Sequence, residues 1–273
     1  MIDGVIGRPS EASVSVFDSS VLFGDAYFES LRTYNGNPVL LDAHLLRLAE
    51  AVIDAGYANP PDESLLRAEV LRAIDETELD ECLIRVSVTG GTRRALLAER
   101  PRAATRIIWC LPLSDAAREG GDRPIVASLV DLPGYAFPRK SANFQTAVRL
   151  TDRARGRGID EVIIRDKDRV IEGLTSNVFA ALGDELVTPL LGRCLPGVTR
   201  GAILGIAARC GLRPVERELS KGDLFNSDAV YVANSLIELR RVVELDGREI
   251  ASLPEQHATL LAALRAHYLG TSA

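Results

Sequence analysis

The sequence is poor in lysine, in aromatic residues and in long apolar runs. Only three of its 32 lysine and arginine residues are lysines, and aromatic residues make up 5% of the chain. No apolar run approaches the roughly 20 residues that a membrane-spanning helix needs. The N-terminus, Met1 to Gly4, carries an acid where a signal peptide needs basic residues. We therefore expect a cytoplasmic protein without a membrane partner.

Clusters of basic residues and of metal ligands are also missing. The net charge is -6 and the arginines are scattered along the chain, so there is no basic stripe of the kind that nucleic acid requires. The cysteines and histidines are too far apart to form metal-ligand pairs; they are Cys82, Cys110, Cys194, Cys210, His44, His257 and His267. We expect neither a nucleic-acid partner nor a metal.

The three lysines differ in their surroundings. Lys140 lies among small and apolar residues between Phe137 and Phe144, whereas Lys167 and Lys221 lie in polar, turn-like segments. A partly desolvated lysine loses its proton more readily and can act as an amine nucleophile or form a Schiff base. The local sequence is equally typical of a lysine that extends into solvent, so both interpretations stay open here.

The first 115 residues predict a small α/β domain. Residues 13–34 predict two strands around a polar turn, and Asn35 with Gly36 predicts a tight hairpin turn. Apolar residues at helical spacing follow Asp42, a candidate N-cap, until Gly56. A second helix is predicted over 64–78, and strands over 82–88 and 106–111. These elements indicate helices on an antiparallel sheet.

Residues 116–123 are polar and glycine-bearing and predict the connection to a larger domain at 124–273. Its periodicity predicts a mixture of strands and helices, so the whole chain belongs to the α/β (α+β) class. The predicted strands cover 124–130, 161–165, 178–182 and 229–233, and the predicted helices cover 143–157, 198–210 and 254–268.

Several polar residues of this larger region have two interpretations. Glu172 lies in an apolar stretch, where a buried carboxylate needs a partner such as a heterocyclic cation, although a turn carboxylate facing water fits as well. The segment from Leu195 leads into a helix whose first N–H groups could bind phosphate or could simply be capped. Arg47 could complete such a site, and Ser235 follows a predicted buried strand, where ligand-binding groups and ordinary turns both occur.

The order of these motifs resembles the fold-type IV pyridoxal-phosphate enzymes, the family of the branched-chain and D-amino-acid transaminases and of aminodeoxychorismate lyase. The resemblance spans almost the whole chain. The segments that carry it are 23–25, 28–29, 34–36, 41–48, Lys140, 160–163, 172–173, 176–179, 188–189, 195–200, 234–236 and 245–247.

The resemblance implies a two-domain fold, with a small N-terminal α/β sandwich and a larger C-terminal pseudo-barrel that carries the cofactor lysine. It further implies a homodimer that binds pyridoxal 5'-phosphate and a small-molecule substrate. Lys140 would be the Schiff-base lysine, and Glu172 the partner of the pyridine nitrogen. The implied phosphate ligands are Arg47, Val198, Thr199 and Ser235.

Within that family the resemblance favours a lyase. Phe144 replaces a tyrosine common in branched-chain transaminases, Ser30 keeps a hydroxyl typical of aminodeoxychorismate lyases, and the segment 234–236 is similar to theirs. We therefore predict cleavage of 4-amino-4-deoxychorismate to 4-aminobenzoate and pyruvate, a step toward folate, with Lys140 and Ser30 as catalytic residues. The predicted substrate contacts are Arg93, Arg94, Asn234, Arg240 and Arg241.

Two alternatives remain at this stage. The first is a class IV transaminase, with D-amino acids or amines as better substrates than branched-chain amino acids. The second is a non-catalytic protein that has kept the fold, although the lysine, the acid and the phosphate residues show no decay.

Overall fold

The computed structural model describes residues 1–93 and 103–271. The chain folds into two compact units. The first comprises Met1–Leu113 together with Arg139–Phe144, and the second comprises Ser114–Pro138 together with Gln145–Ala273. Both units contain helices and sheet, which confirms the predicted α/β class.

The first unit is an antiparallel sheet with two long helices. The strands lie in the order β2-β1-β3-β4, and all three pairings are antiparallel. The elements are α1 (Ser19–Phe23), β1 (Ala26–Tyr34), β2 (Asn37–Pro38), α2 (Leu41–Asp54), α3 (Glu63–Asp75), β3 (Cys82–Thr89) and β4 (Thr105–Pro112). The predicted layer of helices on an antiparallel sheet is thereby confirmed.

The core of this unit forms where the helices meet one face of the sheet. Leu45, Leu48 and Val52 recur at helical spacing on α2 and are buried against Leu31 of β1 and Ile84 of β3. Burial of such a side chain contributes roughly 1.5–3 kcal/mol. The apolar periodicity of the sequence is therefore what fixes α2 on the sheet.

Two local predictions for this unit are wrong. Residues 19–23 form a helix instead of a strand, because Asp18 accepts a hydrogen bond from the Ser20 N–H at 2.9 Å and caps it. Helix α2 begins at Leu41, after Leu40 in the left-handed conformation, so Asp42 lies in the first turn and is not the N-cap. The Asn35-Gly36 turn is confirmed, since both residues have positive φ angles of 49° and 75°.

The segment that contains Lys140 joins the first unit by backbone pairing. The Phe28 N–H donates to the Lys140 carbonyl at 3.0 Å, and the Ala142 N–H donates to the Ala26 carbonyl at 2.8 Å. The sequence instead assigned Lys140 to the larger domain, which the pairing contradicts. Chain order could not reveal this, because the partner strand β1 lies far upstream.

The second unit contains a ten-stranded mixed sheet and five α-helices among its described residues. Its strands are β5 (Ile125–Asp131), β6 (Glu161–Asp166), β7 (Arg169–Gly173), β8 (Asn177–Leu182), β9 (Glu185–Thr188), β10 (Arg213–Glu216), β11 (Leu219–Ser220), β12 (Ala229–Asn234), β13 (Glu238–Leu245) and β14 (Arg248–Glu249). Its helices are α4 (Asp115–Glu119), α5 (Gln145–Arg155), α6 (Val198–Ala207), α7 (Lys221–Asn226) and α8 (Pro254–Tyr268).

The sheet follows the order β10-β9-β8-β12-β13-β5-β6-β7-β11, and β14 pairs with β13. Strand β5 is parallel to both β13 and β6, while β12 is antiparallel to its neighbours β8 and β13. Lys221, expected in a loop, begins α7, because Ser220 and Asp223 form a capping box there. No helix in the described ranges is long and apolar enough to cross a membrane.

Candidate active site

Lys140 lies on the face of β1 that is opposite to the helices. Its Nζ is 5.1 Å from the centroid of the Phe28 ring, and Phe144 meets that ring edge-on at 5.3 Å. Because side chains alternate along a strand, Ser30 projects from the same face as Phe28. The structure therefore brings the predicted lysine and the predicted serine to one face of one strand.

Arg85 lies on the same face and was not identified from the sequence. It stands directly opposite Ser30 in the β1–β3 pairing, and its guanidinium carbon is 3.5 Å from the Phe28 ring centroid. Burial lowers the pKa of Arg85, partly offset by Glu29. Among residues 1–93 and 103–271, its guanidinium forms no hydrogen bond or ion pair. An arginine held on an aromatic face with its donors unused can bind a carboxylate.

Arg47 belongs to a buried charged cluster on the helix side of β1. Its Nε and Nη2 donate to the two carboxylate oxygens of Glu29 at 2.8 and 2.6 Å, and His44 Nδ1 lies 2.6 Å from Glu29 Oε2. Burial alone would raise the pKa of Glu29, but Arg47 and His44 outweigh it and hold the pKa at about 2. The cluster fixes the orientation of the guanidinium predicted to bind phosphate.

In the second unit, Glu172 is buried at the end of β7, with 3% of its surface exposed. Its Oε2 accepts a hydrogen bond from the Leu195 N–H at 2.9 Å, and its Oε1 accepts one from the Tyr135 hydroxyl at 3.2 Å. These two bonds fix the orientation of a buried carboxylate, which is the kind of group that pairs with a cation such as a protonated pyridine nitrogen. No sequence motif pointed to Tyr135, because its partner Glu172 is 37 residues away along the chain.

The start of helix α6 and a nearby serine form a group suited to a phosphate. Val198 is its first residue, and no side chain caps the helix at Gly197. The hydroxyls of Thr199 and Ser235 lie 3.1 Å apart. A Cβ at Gly197 would fall 1.9 Å from Asn177 Oδ1, so a larger residue there would have to displace the Asn177 side chain. The structure thus brings together Val198, Thr199 and Ser235, and the first N–H groups of the helix have no acceptor within it.

The residues of the second unit fit pyridoxal 5'-phosphate. Leu195, which donates to Glu172, is followed after two residues by Val198, so one loop links the carboxylate to the start of α6. The carboxylate suits a protonated ring nitrogen, and the helix start with two hydroxyls suits a phosphate dianion.

The predicted substrate contacts are less well supported. Arg240 is 4% exposed and donates to the carbonyls of Gly120 and Ala116, so the structure does not support a substrate role for it. Asn234 accepts from the Leu236 and Ile237 N–H groups and stabilises the turn between β12 and β13. These bonds explain both residues structurally.

Arg93 donates to Ser19 Oγ at 3.2 Å and to Asp25 at 3.4 Å, in the first unit. Arg94 lies outside the described residues. Arg241 lies on β13, where it is partly exposed.

The comparisons with known proteins agree with this geometry. Residues 26–245 match the family described as Amino-transferase class IV. A Methanocaldococcus jannaschii protein named "Putative branched-chain-amino-acid aminotransferase" is 30% identical over 255 residues, which cover 91% of this chain and 88% of that protein.

Two solved structures are similar along nearly the whole chain. The PLP-bound form of a hypothetical aminotransferase from Mycobacterium tuberculosis is 26% identical, with a TM-score of 0.86, and covers 97% of this chain and 98% of that one. A "Putative 4-amino-4-deoxychorismate lyase" from Legionella pneumophila has a TM-score of 0.84 at 22% identity and covers 94% and 97% of the two chains. At that identity it shows the shared fold alone.

The family match and the 30% identical relative together identify the chain. It belongs to the class IV aminotransferase family, whose fold it has and whose cofactor, pyridoxal 5'-phosphate, it uses.

Proposed function

We propose that the protein is an aminotransferase that moves an amino group between carboxylate-bearing amino and keto acids. The observation that carries the proposal is the group on the face of β1 and β3 opposite the helices, where the Lys140 amine and the Arg85 guanidinium both lie against Phe28. The relative at 30% identity is named as an aminotransferase. It supports amino transfer as the reaction type.

Lys140 has two roles in this proposal. Its amine would hold the cofactor covalently, and once released by the incoming substrate amine it would accept the proton from the substrate carbon. The amine lies 5.1 Å from the centroid of the Phe28 ring, and Phe144 meets that ring edge-on. When bound, the cofactor supplies an electron sink for the substrate carbanion.

Glu172 and the start of α6 act on opposite ends of the cofactor. Glu172 keeps the ring nitrogen protonated, while Thr199, Ser235 and the first N–H groups of α6 hold the phosphate. Arg47, oriented by Glu29, adds a charged donor to the phosphate. Neither set of residues moves a proton of the substrate.

The first test is the covalent site. Borohydride reduction of the holoprotein followed by peptide mapping should place the cofactor on Lys140 and not on Lys167. The variant Lys167→Ala should label normally and keep its activity, because Lys167 lies in the turn between β6 and β7. Lys140→Ala should lose the label and most of the activity. A label on any other residue contradicts the proposal.

The role of Arg85 has its own test. Replacing Arg85 by Met keeps the apolar stem over Phe28 and removes the donors. For amino acid donors we expect kcat/KM to fall about 100-fold, since two charge-assisted hydrogen bonds are lost. For a primary amine without a carboxylate it should change less than about threefold. Equal losses for both donors would exclude Arg85 as the carboxylate site.

A second candidate function is cleavage of 4-amino-4-deoxychorismate. The specific observation in its favour is Ser30, whose hydroxyl lies on the lysine face directly opposite Arg85 and could assist the leaving group. Phe144 in place of the tyrosine common in branched-chain transaminases points the same way. One assay separates the reactions: a lyase releases 4-aminobenzoate and pyruvate without an amino acceptor, whereas an aminotransferase needs both a donor and a keto acid.

A further inference from the structure

Tyr135 lies outside every motif that suggested the cofactor site, yet it bonds to the residue most directly involved with the cofactor ring. Its hydroxyl donates to Glu172 Oε1 at 3.2 Å, while the Leu195 N–H donates to the other oxygen at 2.9 Å. Each carboxylate oxygen therefore has at least one fixed donor. Two donors on different oxygens stop the carboxylate from rotating about its terminal bond.

The loop that carries Tyr135 is itself anchored. Arg193 donates from Nε and Nη2 to the Tyr135 carbonyl at 2.9 and 2.7 Å, and the Phe137 N–H donates to the Arg193 carbonyl at 2.7 Å. Arg193 also pairs with Asp166 at 2.7 Å. The Tyr135 ring stacks on Phe137 with the centroids 6.5 Å apart. These contacts hold the loop in place and thereby fix the position of the Tyr135 hydroxyl.

Arg193 also connects this loop to the second donor. It lies two residues before Leu195, so the loop that holds the Tyr135 backbone supplies the other hydrogen bond to Glu172. Both donors thus belong to one cross-linked assembly. Burial and the neighbouring Glu172 raise the pKa of the Tyr135 hydroxyl, so it stays protonated and remains a donor.

We propose that Tyr135 is a positioning residue that orients the Glu172 carboxylate toward the cofactor's ring nitrogen. This rests on the proposed role of Glu172. A carboxylate whose orientation is already fixed binds a ring N–H more strongly than one that is free to rotate, because less conformational entropy is lost on binding. Tyr135 itself does not touch the reacting atoms.

The test compares two ligands and two matched variants. The ligands are pyridoxamine 5'-phosphate, which binds without a covalent bond to lysine, and its 1-deaza analogue, in which carbon replaces the ring nitrogen. The variants are Tyr135→Phe and Tyr231→Phe. Tyr231 is a control from the same unit, because it is fully buried and its hydroxyl bonds to Gln256 at 3.1 Å, away from Glu172. The dissociation constants are measured on cofactor-stripped protein whose folding is checked by circular dichroism.

We expect Tyr135→Phe to raise the dissociation constant of pyridoxamine 5'-phosphate about tenfold and that of the deaza analogue less than twofold. The Tyr231 variant should change neither constant. Equal weakening of both ligands, or of neither, overturns the positioning role while leaving the proposed function intact. If the wild-type protein binds the two ligands equally well, Glu172 does not hold the ring nitrogen, and both the assignment and this proposal fail.

Discussion

Two buried glutamates, one in each unit, are stabilised in opposite ways. Glu29 in the first unit meets the Arg47 guanidinium and His44, which hold its pKa at about 2. Glu161 in the second unit is also buried, but its donors are neutral: the Ser176 and Thr175 hydroxyls at 2.7 and 3.0 Å, and its neighbour's N–H. Burial raises the pKa of Glu161 despite these bonds.

The difference shows what a charged partner adds. Neutral donors satisfy the lone pairs of Glu161 but do not offset the cost of desolvating its charge. For Glu29, the charge of Arg47 does offset that cost. The charged partner of Glu29 is therefore Arg47, the residue of α2 that is predicted to bind the phosphate. The carboxylate supported by hydroxyls stabilises a turn.

The largest expected effect comes from removing the cation. Arg47→Met leaves Glu29 buried and uncompensated, and should lower the free energy of unfolding of the first unit by about 3–5 kcal/mol. Fluorescence of Trp109, the single tryptophan of the chain, reports this transition from β4 in cofactor-free protein. Arg67→Met is the control, because Arg67 and Asp42 form an exposed pair expected to contribute at most about 1 kcal/mol. If Arg47→Met and Arg67→Met lowered the free energy of unfolding by similar amounts, the buried pair would not differ from the exposed one, contrary to this prediction.

An acid titration should show the next largest effect. The pKa of Glu29 is about 2 in the folded protein against an ordinary 4.5, so its contribution is present above pH 4.5 and is lost as the pH falls through about 2. The loss amounts to about 3 kcal/mol. It is measured as the difference in pH dependence between the wild type and Glu29→Gln by denaturant unfolding. Parallel curves between pH 4.5 and 2 would rule out this linkage.

Glu161 should show a smaller effect of the opposite sign. Its folded pKa is raised, so its contribution is fully present below the ordinary value of 4.5 and is lost as the pH rises through the folded pKa. Glu161→Gln should remove that dependence and change stability at neutral pH by only about 1 kcal/mol. Hydrogen exchange of β6 and β7 amides measures it, with the exposed Glu249→Gln as control. If acid pH destabilised the wild type but not Glu161→Gln, the predicted sign of this pH dependence would be wrong.

The sequence predicted what depends on local pattern. Helices α5 and α8 follow from apolar periodicity, and the Asn35-Gly36 turn follows from residues that accept positive φ. Strand β13 was missed because its two adjacent arginines interrupt the alternation that marks a strand. Such a pattern becomes a strand only through its neighbours β12 and β5.

The residues of the candidate site also fall into two groups, those predicted from sequence motifs and those found only in the structure. The family's motifs supplied Lys140, Glu172 and Thr199, whereas Arg85 and Tyr135 emerged only from the folded chain. Arg85 depends on the pairing register that sets it opposite Ser30, and Tyr135 depends on a contact with Glu172 across 37 residues. Neither register nor long-range contact can be determined from one sequence.

The pairing of the Lys140 segment with β1 has a consequence for how the protein is made. Strand β1 leaves the ribosome more than 100 residues before the segment that pairs with it. Since domains tend to fold in order of synthesis, the first unit can form its core early but has to wait for Lys140. A fragment ending at Leu113 would contain every residue of that core cluster but not Lys140, the proposed cofactor lysine. No single cut in the gene separates the two units intact.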